Sequence, residues 1–561
     1  MVKSLFKNGA DLLFRRQANI FSAATVIAVA VLLSRILGLF KYRLLTDRFS
    51  VSDIGIFITA FRLPNTVFDI IVMGALTTAF IPVFTSYISK EKHEDANRVA
   101  STVLNISILV FLAFTAIFLI FTNQLVAIIA PGLKPTEMAQ AIPFTRIMLL
   151  GQTLPLILGN FLTGILQSHK RFLVPALAPV AYNFGIILVV VLLSPIIGLY
   201  VAVFGVVIGA ILFLLIQIPL CSHLNFRYQP IFDLSHQGVR EIGRMILPRT
   251  VGLAITQLNY FANLMITSLI STRAITIFNF AQQLEQLPIG IFAATISQAA
   301  LPTLSEENEK EDDFTAFKKT LLTSLHQILF LVCPAAIILI VLRIPIVRLV
   351  YGSSKFDWLA TVETGRTLAF LGLGLVAEAI INLLVRGFYA LHDSKTPVVV
   401  GSVTVLINIC LSMIFIFFIP AWERPVWGLA LAVAIADTIY ALVLIFLLNR
   451  RVNHFDPVTL LVPAIKIITA AALTGISLYI PMKLLDQLVF DTTRTVPLIM
   501  LTGIVSLIGL SVYLFITWIL QIDELRSFLG LFGRITKIFS VAEEKVESTI
   551  SEAVTEIESK P

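Results

Sequence analysis

Residues 108–121 read ILVFLAFTAIFLIF, an apolar run interrupted only by Thr115. A transmembrane barrel strand would alternate apolar and polar positions over a short segment. This run is continuous, so the chain is expected to cross a bilayer as helices, each of which needs roughly 20 apolar residues. Similar runs recur along the 561 residues, which are 57% hydrophobic and 13% charged. A soluble domain is usually about a quarter charged. A soluble enzyme is therefore excluded, and the fold class expected is an all-α polytopic membrane protein.

Hydropathy places about fourteen transmembrane helices, at 20–46, 54–86, 99–122, 137–168, 173–194, 197–222, 245–271, 274–304, 320–342, 361–391, 396–419, 427–449, 457–481 and 493–520. An even count puts both termini on one side. The loops of that side hold 23 of the 41 Lys and Arg residues and the opposite loops hold nine. The positive-inside rule then makes both termini cytoplasmic. The N-terminal segment carries Lys3, Lys7, Arg15 and Arg16 without a short apolar core and cleavage site, and is read as basic cytoplasmic chain. Cys221, Cys333 and Cys410 show no paired spacing and imply neither a disulfide framework nor a metal site.

The chain repeats itself. GALTTAFIP ends at Pro82 and ATISQAALP ends at Pro302, 220 residues later; GILQSH begins at Gly164 and GFYALH at Gly387, 223 later. Pro397 answers Pro175, and Asn408 answers Asn183. Six helices lie between copies, so the copies share an orientation and form two pseudo-symmetric lobes. The organisation expected is an N-lobe at 1–235, a C-lobe at 236–455, two extra helices at 456–522 and a cytoplasmic amphipathic tail at 523–561. Parallel lobes with Pro-interrupted helices describe a transporter that exposes a central site to each side in turn. Pro64 with Asn65 in the second segment and Pro288 in the eighth are the expected kinks and gating positions.

Nine cations remain inside the spans: Arg35, Lys41, Arg43, Arg62, Arg146, Arg249, Arg366, Arg386 and Lys466. A charge at mid-bilayer costs about 2.5–3.5 kcal/mol on the insertion scale, so such residues normally face a bundle interior or an aqueous cavity. Four of the nine fall in the first two segments. Arginine's planar fork suits phosphate oxygens, and a cationic cavity points to a phosphorylated or carboxylated substrate. The competing reading has Lys41 and Arg43 at the outer headgroups and Arg35 on a backbone carbonyl. Arg249 and Arg386 divide between substrate contact and structure; Arg386 shares a helix face with Asn382 and Glu378. The seven histidines form no metal or triad spacing, and no phosphate-cradling Gly-rich loop is present, so neither enzyme chemistry nor ATP is expected.

Ser34-Arg35-Ile36-Leu37-Gly38, Ala60-Phe61-Arg62-Leu63-Pro64-Asn65, Gly74-Ala75 through Ala79-Phe80-Ile81-Pro82, and the run from Arg386-Gly387 to Thr396-Pro397 are together similar to the MurJ (MviN) family. The resemblance runs from about residue 20 to 520. It implies a lipid II flippase of the MOP exporter superfamily, which moves the undecaprenyl-pyrophosphate-linked peptidoglycan precursor from the inner to the outer leaflet of the bacterial cytoplasmic membrane. It assigns Arg35, Lys41 and Arg62 to the family's basic positions and the two extra helices to a groove for the lipid tail. The chain departs from the family at Tyr42, Phe68, Gln283 and Gln286, leaving fewer cations unless Arg43 or Arg249 compensates. Asn408 fits the family's ion site, but the carboxylate expected one turn later is Ser412. No cofactor is implied, and the driving force is left to the membrane potential or a monovalent cation.

Lipid II, membrane lipids and cell-wall synthesis proteins are the partners this implies, with no nucleic acid, and a monomer is the default. Two other readings stand beside it: a flippase for another anionic lipid-linked saccharide, and a non-transporting envelope-assembly scaffold. The tail offers the latter a stripe of Ala542, Val546, Ile550, Ala553 and Ile557 among glutamates.

Overall fold

The computed structural model describes residues 20–72, 79–224, 226–310, 314–419, 425–491, 494–526 and 528–530. The C-terminal stripe and Gly74-Ala75 lie outside them. Helices in chain order are α1 (Ile20–Arg48), α2 (Val51–Ile71), α3 (Ile81–Ser89), α4 (His93–Ile120), α5 (Thr122–Ile129), α6 (Pro135–Gly151), α7 (Thr153–Ser168), α8 (Leu173–Ile197), α9 (Tyr200–Leu215) and α10 (Ile218–Ser222). They continue with α11 (Gln237–Ile270), α12 (Thr272–Pro288), α13 (Ala294–Lys310), α14 (Thr315–Val341), α15 (Arg343–Tyr351), α16 (Trp358–Ala390), α17 (Lys395–Met413), α18 (Val426–Arg451), α19 (Pro457–Leu488) and α20 (Thr495–Ile519). No strand occurs among the described residues. Twelve of their helical stretches are long and apolar enough to cross a membrane. The first and seventh expected segments, outside those twelve, coincide with α1 and α11.

Local chemistry sets the helix ends. Ser50 caps α2 reciprocally: its hydroxyl accepts from the Asp53 N–H at 3.2 Å while the Asp53 carboxylate accepts from the Ser50 N–H at 3.1 Å. Asp456 caps α19 by accepting from the N–H groups of Val458 and Thr459. The fourth expected segment is two helices, α6 and α7, because Pro155 lacks the N–H that would bond the Gly151 carbonyl. Pro288 is followed by a π-helical turn, Ile289–Ala293, so the eighth segment changes pitch where a kink is expected.

Two compact units divide the chain. The first holds residues 1–284, 344–371 and 398–436; the second holds 285–343, 372–397 and 437–561. In the first unit, α8 and α9 meet through glycine. A Cβ on Gly185 would stand 2.8 Å from the Cα of Gly209, and one on Gly209 would stand 2.5 Å from the Tyr182 carbonyl oxygen. With Gly205 this makes a Gly-x-x-x-Gly face that lets backbones touch, the usual basis of association where water gives no hydrophobic drive. Nearby, Phe80 stacks on Phe84 at 5.0 Å and packs on Phe161 at 4.9 Å, and Gly164 leaves room for the Phe80 ring.

The backbone carries the repeat. Lys170 and His392 both have φ 58°, and each ends its helix with the same bond: Arg171 N–H to the Leu166 carbonyl and Asp393 N–H to the Phe388 carbonyl, both 2.9 Å. Their spacing is 222 residues, one fewer than aligning GILQSH with GFYALH gives, because His169 precedes the left-handed position and His392 occupies it. The paired asparagines agree too. Asn183 donates to Ser34 Oγ at 3.1 Å, and Asn408 donates to the Asn259 and Asn263 side-chain oxygens, each at 3.0 Å.

Candidate substrate-binding site

In the first unit, Arg62 lies on α2 two residues before Pro64. Its Nη2 donates to Gln257 Oε1 at 2.6 Å, and Gln257 Nε2 donates to Asp69 Oδ2 at 3.1 Å. Asn65, one turn before Asp69, donates to the same oxygen at 3.0 Å. The guanidinium carbon stands 4.4 Å from the Tyr260 ring centroid and 5.4 Å from that of Phe261. Gln257 is 6% exposed, so this is a largely buried relay of cation, amide and carboxylate. Arg62 Nε is buried without a hydrogen-bond partner among the described residues. The network thus fixes the fork and leaves one of its N–H groups unspent, an arrangement that can receive an anionic oxygen. Phe68, where the family resemblance places an arginine, packs on the apolar cluster that includes Val67, Leu149 and Ile157.

The other cations of α1 each have separate surroundings. Arg35 is exposed and lines a cavity of about 340 Å³ with Ser34, Gln167, Phe172, Pro175 and Pro179. Lys41 places its ammonium 4.3 Å from the ring centroid of Tyr42. Arg43 Nη1 donates to the carbonyls of Leu349 at 3.0 Å and Arg348 at 3.4 Å, and so caps the C-terminus of α15, where a cation complements the helix dipole. Arg249 is on α11, its side chain outside the described ones. Asn408 spends its NH2 on Asn259 and Asn263 and accepts from Ser412 Oγ at 3.3 Å, in a set with amide and hydroxyl oxygens and no carboxylate.

The second unit holds the remaining expected positions. Gln286 Nε2 donates to Glu378 Oε1 at 2.8 Å, Asn382 donates to the Glu378 carbonyl at 3.0 Å, and Arg386 Nη1 donates to the Ala294 carbonyl at 3.0 Å, next to the π turn. Arg386 therefore braces irregular backbone instead of joining the Glu378–Asn382 pair.

Within the first unit, one end of the molecule is clamped by contacts between residues of the expected N- and C-lobes. A Cβ on Gly55 would sit 2.1 Å from the Thr272 carbonyl oxygen, and one on Gly132 would sit 1.9 Å from that of Ser268. Gly132 N–H donates to Ser268 Oγ at 3.2 Å, Thr276 Oγ1 donates to the Val51 carbonyl at 2.6 Å, and Thr272 Oγ1 donates to Glu137. Beside them Arg273 pairs with Asp357 at 2.6 Å and Glu363 at 3.3 Å. The hydrogen bond from Arg273 holds the Asp357 carboxyl below its ordinary range.

Gln257 and Tyr260 are absent from the sequence expectations. They carry no charge at neutral pH, so a search for intramembrane cations passes over them. Their signal is compositional: Gln257, Asn259, Tyr260 and Asn263 crowd one stretch of an apolar helix.

The sequence model of the family described as lipid II flippase MurJ matches residues 49–497. A lipid II flippase MurJ of Burkholderia cenocepacia is 27% identical over 77% of this chain and 84% of its own length. A probable lipid II flippase MurJ of Rhizobium meliloti is 28% identical over 84% of this chain and 87% of its own. Among solved structures, a lipid II flippase MurJ in an inward closed conformation superposes with a TM-score of 0.70 at 24% identity, covering 87% of this chain and 98% of that one. An inward-facing multidrug resistance MATE family transporter of the MOP superfamily gives 0.63 at 16% identity, over 77% of this chain and 98% of that one, a likeness of fold alone. With the family match extending across most of the spans, the chain belongs to the lipid II flippase MurJ family.

Proposed function

We propose that this protein carries lipid II from the inner to the outer leaflet of the bacterial cytoplasmic membrane, working by alternating access with both termini in the cytoplasm. It is a transporter and not a catalyst. The observation that carries the site assignment is Arg62, held by Gln257 over Tyr260 with one buried N–H unspent. A pyrophosphate oxygen is the acceptor that such a group suits. Arg35 and Lys41 supply further positive charge along α1, whereas Arg43 is taken up by the carbonyls at the C-terminus of α15. The clamped end carrying Gly55, Gly132 and Arg273 is the outer gate on this reading, since it joins loops of the cation-poor side. The family match does not favour a carrier of another lipid-linked saccharide or a scaffold, and the tail stripe that a scaffold would use lies outside the described residues.

The test is complementation. The gene should restore growth to bacteria depleted of their own lipid II flippase. Arg62→Ala and Arg35→Ala should each abolish rescue while the protein reaches the membrane in normal amount. Full rescue by both variants would remove these residues from the mechanism.

A further inference from the structure

The second unit contains three intramembrane carboxylates with no basic partner among the described residues. Glu285, on α12 one turn before Pro288, is 3% exposed. Its charged neighbours are Glu378 on α16 and Asp437 on α18. Glu378 accepts only the neutral Gln286 amide, and Asp437 has Glu378 as its charged neighbour. The groups around them are the Tyr440 phenol on α18, which donates to the Pro397 carbonyl, and Tyr389 near it; Arg386 is turned to the Ala294 carbonyl. Three like charges removed from water without a counter-charge repel one another and lose their hydration, and each bound cation relieves both costs.

The geometry selects the cation. Among the described residues no three carboxylate, imidazole or thiol side chains are gathered closely enough to ligate one metal ion. A sodium ion needs several oxygens converging on one point, and the Gln286 amide presents its N–H side to the cluster. A proton needs a single oxygen, and three carboxyl groups can hold or share several protons without converging.

We infer that Glu285, Glu378 and Asp437 form a proton-binding site within the second unit, loaded from water and discharged to water as the protein changes state. In each loading step a carboxylate oxygen takes a proton from hydronium and releases water; discharge reverses the step. The proton binding stands on the cluster itself, while its use to drive transport rests on the flippase reading. Glu285 is the residue most enclosed by the set, and its position just before the Pro288 kink couples its charge to the π turn that follows.

The experiment is infrared difference spectroscopy on the purified full-length protein in lipid nanodiscs without substrate, titrated between acid and alkaline pH in choline chloride and again in sodium chloride. The expected result is a carboxylic C=O band present at neutral pH, the same in both salts, and lost in Glu285→Gln, with a weakened band in Asp437→Asn. Absence of a protonated carboxyl band from the wild-type protein at neutral pH overturns the inference, as does a band that sodium abolishes. Because no substrate is present, these outcomes are independent of whether lipid II is the cargo. In vesicles containing lipid II, Glu285→Gln should then lose the acceleration of flipping by an imposed pH gradient.

Discussion

Two arginines nineteen residues apart, Arg43 and Arg62, have the same chemistry in the sequence and different employment in the fold. Arg43 gives its N–H groups to the last carbonyls of α15, and Arg62 lies over an aromatic ring in a relay to Asp69. Arg43→Ala should therefore lower the melting temperature, by the equivalent of about 1 kcal/mol for a lost cation at a helix C-terminus, and still support growth. Arg62→Lys should fail to support growth with little loss of stability, because a point ammonium cannot reproduce the fork held by Gln257. Thermal unfolding in detergent beside complementation separates the two outcomes. The sequence marked both residues as intramembrane cations, but which carbonyls end beside Arg43 depends on α15, 305 residues away in the chain. Asp357 adds a pH dependence. Its native carboxyl titrates below the ordinary range of about 3.9, so its bond to Arg273 stabilises the fold above that range and is lost as pH falls through the lowered native value. The melting-temperature difference between wild type and Asp357→Asn should be steady near neutrality and close below about pH 4.

At the scale of elements, continuous apolar runs made the helices legible, because a bilayer forces every backbone group into an internal bond. Pro288 marks the π turn after it only as a kink, and the hydropathy reading of 137–168 as one helix runs straight through the break before Thr153; which form the backbone takes is settled by neighbours the local sequence does not name. Helix partners were less legible still. The α8–α9 contact rests on Gly185, Gly205 and Gly209, and glycine is common enough in membrane helices that three of them predict no particular partner. Once the pair is seen, the consequence is definite. Gly209→Leu drives a side chain into the Tyr182 carbonyl and Ile186, with a cost of about 1–3 kcal/mol for overpacking. The variant should unfold at lower temperature and reach the membrane in reduced amount, whereas Gly503→Leu on α20, where a Cβ meets nothing within 4 Å, should behave as wild type. Equal melting temperatures for both would mean that α8 and α9 can separate without loss.

For the molecule as a whole, the repeat suggests two lobes, but the clamp within the first unit rests largely on small residues, Gly55, Gly132, Ser268 and Thr272, with Glu137 accepting from Thr272, and nothing in composition distinguishes them. Gly132 is the most constrained. A methyl group there would stand 1.9 Å from the Ser268 carbonyl oxygen, 2.3 Å from its carbon and 2.7 Å from Leu269 Cα. All three are backbone atoms, so no side-chain rotation relieves the clash and the segments must part. If this clamp is the outer gate, as proposed above, Gly132→Ala should shift the protein away from its closed state. A cysteine placed at Ala274, now 1% exposed, reports the shift. In detergent, Ala274→Cys should react with a maleimide at least about tenfold faster when combined with Gly132→Ala, tenfold corresponding to about 1.4 kcal/mol between the closed and open states. Growth support should fall at the same time, since a carrier that cannot close one gate cannot return its site to the other side. If the labelling rate is unchanged while growth is lost, the contact at Gly132 serves folding and the gate lies elsewhere. If labelling rises and growth persists, closure at this end is not a required step, and alternating access by this clamp is wrong.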